Sequence, residues 1–156
     1  MSGPLRGKSM TRMDSFNLVW TPRLRSVLRV ITGFLLMAHG AQKLLNYPPS
    51  PQGGAVEIFS LMGFAGVLEL VGGFLILIGL FTRVTAFILS GEMAVAYFMS
   101  HAPGGFLPLV NKGELAVLYC FVFFYMATAG GGSWSVDRLL GRGAGVADSE
   151  LRAAKT

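Results

Sequence analysis

Three ionisable side chains lie where hydrocarbon would surround them. Glu69 sits mid-way along the apolar stretch 59–81, Glu92 mid-way along 84–100, and His39 inside 27–45. A carboxylate beside an imidazole can exchange a proton and orient a bound polar group, which makes His39, Glu69 and Glu92 the candidate catalytic residues. Insertion scales charge about 2.5 to 3.5 kcal/mol for an acidic group at a helix centre, so these acids must face protein rather than lipid. Gly66, Gly72 and Gly73 fall at i−3, i+3 and i+4 from Glu69, on the same helical side, and let other backbones approach closely.

A second set of polar residues surrounds them. His39, Gln42 and Lys43 stand at i, i+3 and i+4 and form one stripe, and His101, Asn111 and Glu114 follow near the start of another apolar run. With a rise of about 1.5 Å per residue, Glu69 and Glu92 lie near mid-span and His39 about 4 to 5 Å outward of them. Lys43, His101 and Glu114 lie roughly 10 to 14 Å outward. A polar pocket in the outer half of a helix bundle follows, with Gln42, Lys43, His101, Asn111 and Glu114 lining it. At the depth of Lys43 the only opposite charge is Glu114, so these two are expected to pair. Plainer readings stand beside this one. Asn111 with Glu114 forms a capping box, Lys43 snorkels to the surface, His101 is a loop residue, and the acids serve a hydrogen-bonded packing network. Phe121, Phe123, Phe124 and Tyr125 read as lipid contacts.

The elements that must position these groups are membrane helices. The chain of 156 residues is 53% hydrophobic and only 13% charged, and its mean hydropathy is +0.58. That is too apolar for an ordinary soluble domain. The expected architecture is all-α, an integral membrane four-helix bundle with spans at 27–45, 59–81, 84–100 and 114–129. Residues 46–57, with adjacent prolines and a glycine pair, form a loop, and the tight turn at Arg83 makes the second and third helices antiparallel neighbours. Residues 1–26 form a basic cytoplasmic segment with a short interfacial helix near Trp20, interrupted by Pro22. Residues 27–140 form the membrane domain. Ser133 or Ser135 caps a short helix before a disordered cytoplasmic tail, 141–156.

Charge placement sets the orientation. Eleven Lys and Arg residues fall on the side of the N-terminal segment, Arg83 and the tail, against Lys43 and Lys112 on the other, so both termini are expected in the cytoplasm. The net charge of +5 thus reports membrane orientation, not nucleic-acid binding. A secretory signal peptide competes for the first span, because Ala38-His39-Gly40 resembles a cleavage site, but the apolar run continues past it to Leu44. The single cysteine, Cys120, offers no intrachain disulfide or CxxC pair. His39 and His101 differ in depth by roughly 9 Å, which disfavours bis-histidine haem. Glu-x-x-His repeats, zinc-ligand spacing and a glycine-rich nucleotide loop are absent from the sequence, so it carries no metal or nucleotide signature.

Arg29 with Gly33, His39-Gly40 with Lys43, Glu69 with Gly72-Gly73 and Arg83, GEMAVAYF from Gly91, and HAPGGFLPLVNKGELAVLYCF from His101, with Ser135 and Asp137 after it, together resemble the DoxX family of small bacterial four-helix membrane proteins. The resemblance implies a multi-pass protein of the bacterial cytoplasmic (inner) membrane. It also implies a membrane subunit of a quinone-linked oxidoreductase system, since the family takes its name from subunits associated with a thiosulfate:quinone oxidoreductase. Quinone is then the implied cofactor. Its carbonyl would meet His39, with Glu69 or Glu92 as the carboxylate partner, while Lys43 neutralises the acids and Glu114 balances Lys43. The implied partners are the lipid bilayer and membrane or cytoplasmic redox proteins. The chain itself has no cysteine pair for sulfur relay. The alternative function is a non-catalytic assembly or interaction subunit of a larger complex.

Overall fold

The computed structural model describes residues 12–51 and 53–142, and among these every regular element is helical. Four long helices form the body: α1 (Arg12–Leu45), α2 (Leu61–Ile78), α3 (Thr82–Ala96) and α4 (Glu114–Ala129). By length and composition α1 and α2 can cross a membrane, whereas α4 is apolar but shorter. Two stretches depart from α geometry. A π turn, Leu68–Gly72, lies inside α2 and contains Glu69. A second, Tyr97–His101, extends α3, so His101 closes a helical turn instead of lying in the loop.

The helix start shows one clear departure from expectation. Pro22 lies inside α1, which runs unbroken from Arg12 where a short interfacial helix and a break were expected. Proline's locked φ is compatible with a helix, and the ring removes only the bond to the carbonyl one turn earlier. The Pro22 carbonyl is itself well used, accepting from Ser26 Oγ at 2.9 Å and from the Ser133 amide at 3.1 Å. At about 1.5 Å per residue α1 is about 50 Å long, which exceeds a hydrocarbon core of about 30 Å, so one end projects beyond it. The expected tail lies outside the described residues beyond Arg142.

Packing is closest between α1 and α2, because glycines meet backbone to backbone. A Cβ at Gly40 would stand 2.4 Å from the Leu70 nitrogen, and one at Gly33 would stand 2.6 Å from that of Leu77. Reciprocally, a Cβ at Gly73 would meet the Met37 nitrogen at 2.6 Å. On the neighbouring side Gly72 admits the Leu89 side chain of α3. The glycines flanking Glu69 therefore serve the close approach that their spacing implied. α3 lies along α4, where Ser90 Oγ donates to the Cys120 carbonyl at 2.8 Å.

The core contains Leu36, Ile76, Leu89, Met93, Tyr119, Phe123 and Met126. Outside it the helices present Phe34, Phe64, Phe74, Phe87, Phe98, Phe121 and Phe124 to the surroundings. So many exposed aromatics are rare on a soluble monomer and, with the apolar length of α1 and α2, mark a lipid-facing surface. Of the four aromatics read as lipid contacts, Phe121, Phe124 and Tyr125 point outward and Phe123 is fully buried.

Candidate functional site

The two acids occupy one layer of the molecule. With Gly40 against Leu70 and Met37 against Gly73 in antiparallel helices, His39 stands level with Val71, about 3 Å from Glu69 along the axis. It lies on the side of Glu69 away from Lys43, not outward of it as helix rise alone indicated. Lys43 sits one turn further along α1, and its Nζ reaches Glu69 Oε1 at 2.7 Å. Helical side chains lean toward their own N-terminus. Since α1 and α2 run antiparallel, Lys43 and Glu69 lean toward each other across the glycine contact. The Glu69 side chain is 6% exposed and that of Lys43 28%.

This pairing corrects the expected Lys43–Glu114 pair and the snorkelling alternative together. Glu114 instead stands exposed in an open recess with Leu109, Lys112, Leu115 and Leu118. The correction has a simple cause. Depth alone ignores which faces the glycine contact turns toward each other.

Glu92 completes the layer from α3 and lies within electrostatic range of both Glu69 and Lys43. Its two carboxylate oxygens are buried without a hydrogen-bond partner among the described residues, and so is Glu69 Oε2. Tyr119 of α4 is 4% exposed and within electrostatic range of Glu69. The His39 ring meets the Tyr119 ring edge-on, with centroids 6.5 Å apart. His39 itself is exposed on the flank of α1. Lys43, Glu69, Glu92, Tyr119 and His39 thus form a chain of polar groups linking all four helices.

The remaining expected pocket residues lie elsewhere. Gln42 Nε2 donates to the Pro48 carbonyl at 3.2 Å, which ties the helix end to its loop. His101 Nδ1 lies 3.1 Å from the Asn111 carbonyl, and its ring stacks on Tyr97. Asn111 Nδ2 donates to the Gly105 carbonyl at 2.6 Å, and Oδ1 accepts from the Gly113 amide at 2.7 Å. Asn111 therefore organises an Asx-type turn, and the N-cap of α4 is Gly113 rather than an Asn111–Glu114 capping box. The Tyr97 hydroxyl donates to the Phe106 carbonyl and completes this outer-loop network.

A second polar centre at the opposite end went unread as such in the sequence. Arg29, in the basic series leading into the first span, is 1% exposed. Its guanidinium donates to the carbonyls of Ile76 and Leu77, of Gly131 at 2.9 Å and of Trp134 at 2.7 Å. A cation at the C-terminal carbonyls of α2 also complements the helix dipole. Asp137 holds the next turn, accepting from the Phe81 and Thr82 amides at 2.8 Å each. Ser135 caps the short helix Val136–Leu139, as one of its two expected caps. The available signal was an arginine inside an apolar run, together with Ser135 and Asp137 after the glycine-rich stop.

The family model for DoxX matches residues 24–102, half of the chain, and takes in Arg29, His39, Lys43, Glu69 and Glu92. The chain belongs to the DoxX family. An uncharacterized protein of Haemophilus influenzae is 41% identical over 122 residues, covering 76% of this chain and 91% of the relative. An uncharacterized membrane protein of Mycobacterium tuberculosis is 32% identical over 74% of this chain and 80% of its own length. The inner membrane protein YqjF of Escherichia coli is 29% identical, covering 74% and 91%. No solved structure matches this DoxX protein. Relatives named as membrane proteins agree with the lipid-facing surface, and the chain is a helical membrane protein.

Proposed function

We propose that this DoxX protein is a multi-pass protein of the bacterial inner membrane with four spans and both termini cytoplasmic, and that it serves as the membrane subunit of a quinone-linked oxidoreductase. The name of the Escherichia coli relative supports the membrane assigned, and the 11 to 2 distribution of Lys and Arg supports the orientation. One observation carries the functional reading: Glu92 Oε1, Glu92 Oε2 and Glu69 Oε2 are buried acceptors without a hydrogen-bond partner among the described residues. Each of these oxygens can accept a hydrogen bond, so the layer suits a ligand that donates. The two hydroxyls of a hydroquinone meet that requirement.

A quinone couple supplies two-electron, two-proton redox chemistry when bound. The residues contribute position and proton handling. Lys43 fixes Glu69 through Oε1 and leaves Oε2 to accept. Glu92, with both oxygens unpartnered, accepts a hydrogen bond and takes up a proton. His39, at the flank beyond Tyr119, is the exchangeable imidazole nearest the surface of the chain of polar groups. The electron acceptor or donor is a partner protein.

The test begins with protein purified in mild detergent and extracted with organic solvent, in which co-purified quinone is expected. Glu92→Gln is the informative variant, because it breaks no protein hydrogen bond. It should keep the melting temperature yet weaken quinol binding by about 2- to 10-fold, since a hydrogen bond contributes about 0.5 to 1.5 kcal/mol. Loss of stability with unchanged quinol binding would instead assign the acids to packing and favour the non-catalytic assembly role.

A further inference from the structure

The acid layer is closed on three sides and weakly closed on the fourth. Glycine contacts seal α1 against α2, Gly72 and Leu89 pack α2 against α3, and Ser90 joins α3 to Cys120 of α4. By contrast, α1 and α4 come within backbone packing distance at no more than isolated points. Side chains bridge the gap: His39 against Tyr119 near the acids, and Arg25 to the Ala129 carbonyl near the other end.

His39 is the anomaly on this seam. It is exposed within about 3 Å of the level of Glu69, within a span, and its imidazole has no hydrogen-bond partner among the described residues. A polar ring facing hydrocarbon is costly unless something covers it. One turn earlier Leu35 is exposed as well, so the approach to the seam is apolar. His39 meets the buried Tyr119 ring edge-on, and Tyr119 is within electrostatic range of the nine-tenths buried Glu69 with its unpartnered Oε2.

We infer that the α1–α4 seam is a lateral mouth through which a hydroquinone with an apolar tail, dissolved in the bilayer, reaches the carboxylates. His39 receives the headgroup at the lipid boundary, Tyr119 is the side chain that must turn aside, and the tail stays in the seam beside Leu35. The inference rests on the redox reading of the acid layer and adds the route and the ligand's shape. An apolar tail is required because the one weakly closed side opens to hydrocarbon.

The full chain in lipid nanodiscs tests this. A membrane-dissolved aryl diazirine is photolysed, and adducts are mapped by mass spectrometry on the peptides carrying His39, Tyr119 and, as a lipid-facing reference, Val71. Decylubiquinol is the competitor, and its binding is measured separately by equilibrium titration. The expected result is labelling at His39 and Tyr119 that falls about tenfold when free decylubiquinol is about ten times its Kd, with Val71 unchanged. If decylubiquinol binds but leaves the seam labelling unchanged, or lowers all three sites equally, the mouth is overturned while the redox reading stands. If decylubiquinol does not bind, the redox reading fails and the mouth with it. A seam that stays unlabelled, with light scattering reporting two copies per nanodisc, assigns the cover to a second chain and overturns the mouth.

Discussion

The pairing of Lys43 with Glu69 places the one direct ion pair among the described residues beside a second carboxylate with no protein partner. A buried pair resists single loss more than joint loss, because removing one member strands the other's charge. Lys43→Met alone is therefore expected to cost about 3 to 5 kcal/mol, and Lys43→Met with Glu69→Gln to recover part of that. Thermal unfolding in detergent measures both. Lys43→Met combined with Glu114→Gln should be additive within about 0.5 kcal/mol, since these residues share no contact; strong coupling there would contradict the pairing described. Sequence shows that Glu69 and Glu92 need shelter, because a carboxylate in an apolar run demands it wherever the run folds. It does not show which cation supplies it, since several partners at similar depth satisfy the same arithmetic.

At the scale of elements, two glycines of similar appearance in the sequence have opposite roles. Gly40 stands against the backbone of Leu70, which cannot move aside as a side chain does, whereas nothing lies within 4 Å of a Cβ at Gly91. Gly40→Ala should force α1 and α2 apart and cost about 1 to 3 kcal/mol as overpacking. Gly91→Ala should be neutral or stabilising by up to about 1 kcal/mol through helix propensity. Melting curves of the two variants in one detergent distinguish them, and equal losses would refute the glycine contact. The helices and the glycine side of α2 were legible from apolar run length and from spacing. The π turns were not, because they arise where packing demands an extra residue in a turn, and neither LELVG nor YFMSH announces that. Pro22 misleads locally for a related reason: propensity argues for a break, but the chain docked around its carbonyl keeps the helix continuous.

For the whole molecule, the clamp of Arg29 and Asp137 joins α1, the α2–α3 turn and the segment after α4 at one end, while Glu69 and Glu92 lie mid-way along their helices. The proposed topology puts the clamp at the cytoplasmic face. Reporter fusions at Arg152 and near Pro51 are expected to report cytoplasm and exterior respectively, and the reverse pattern would reject the orientation. Sequence by itself determined that this is a helical membrane protein with acids inside its apolar segments, because those properties follow from composition, run length and the cost of solvating charge in hydrocarbon. Family membership was legible too, since its motifs are local in the chain. Only the tertiary structure decided that Lys43 turns to Glu69, that Glu92 has no hydrogen-bond partner among the described residues, that Gln42, His101 and Asn111 knit loops, and that Arg29 grips carbonyls of two distant segments. These depend on which helix faces meet and in what register, and helical period sets the faces without choosing the neighbour each one will have.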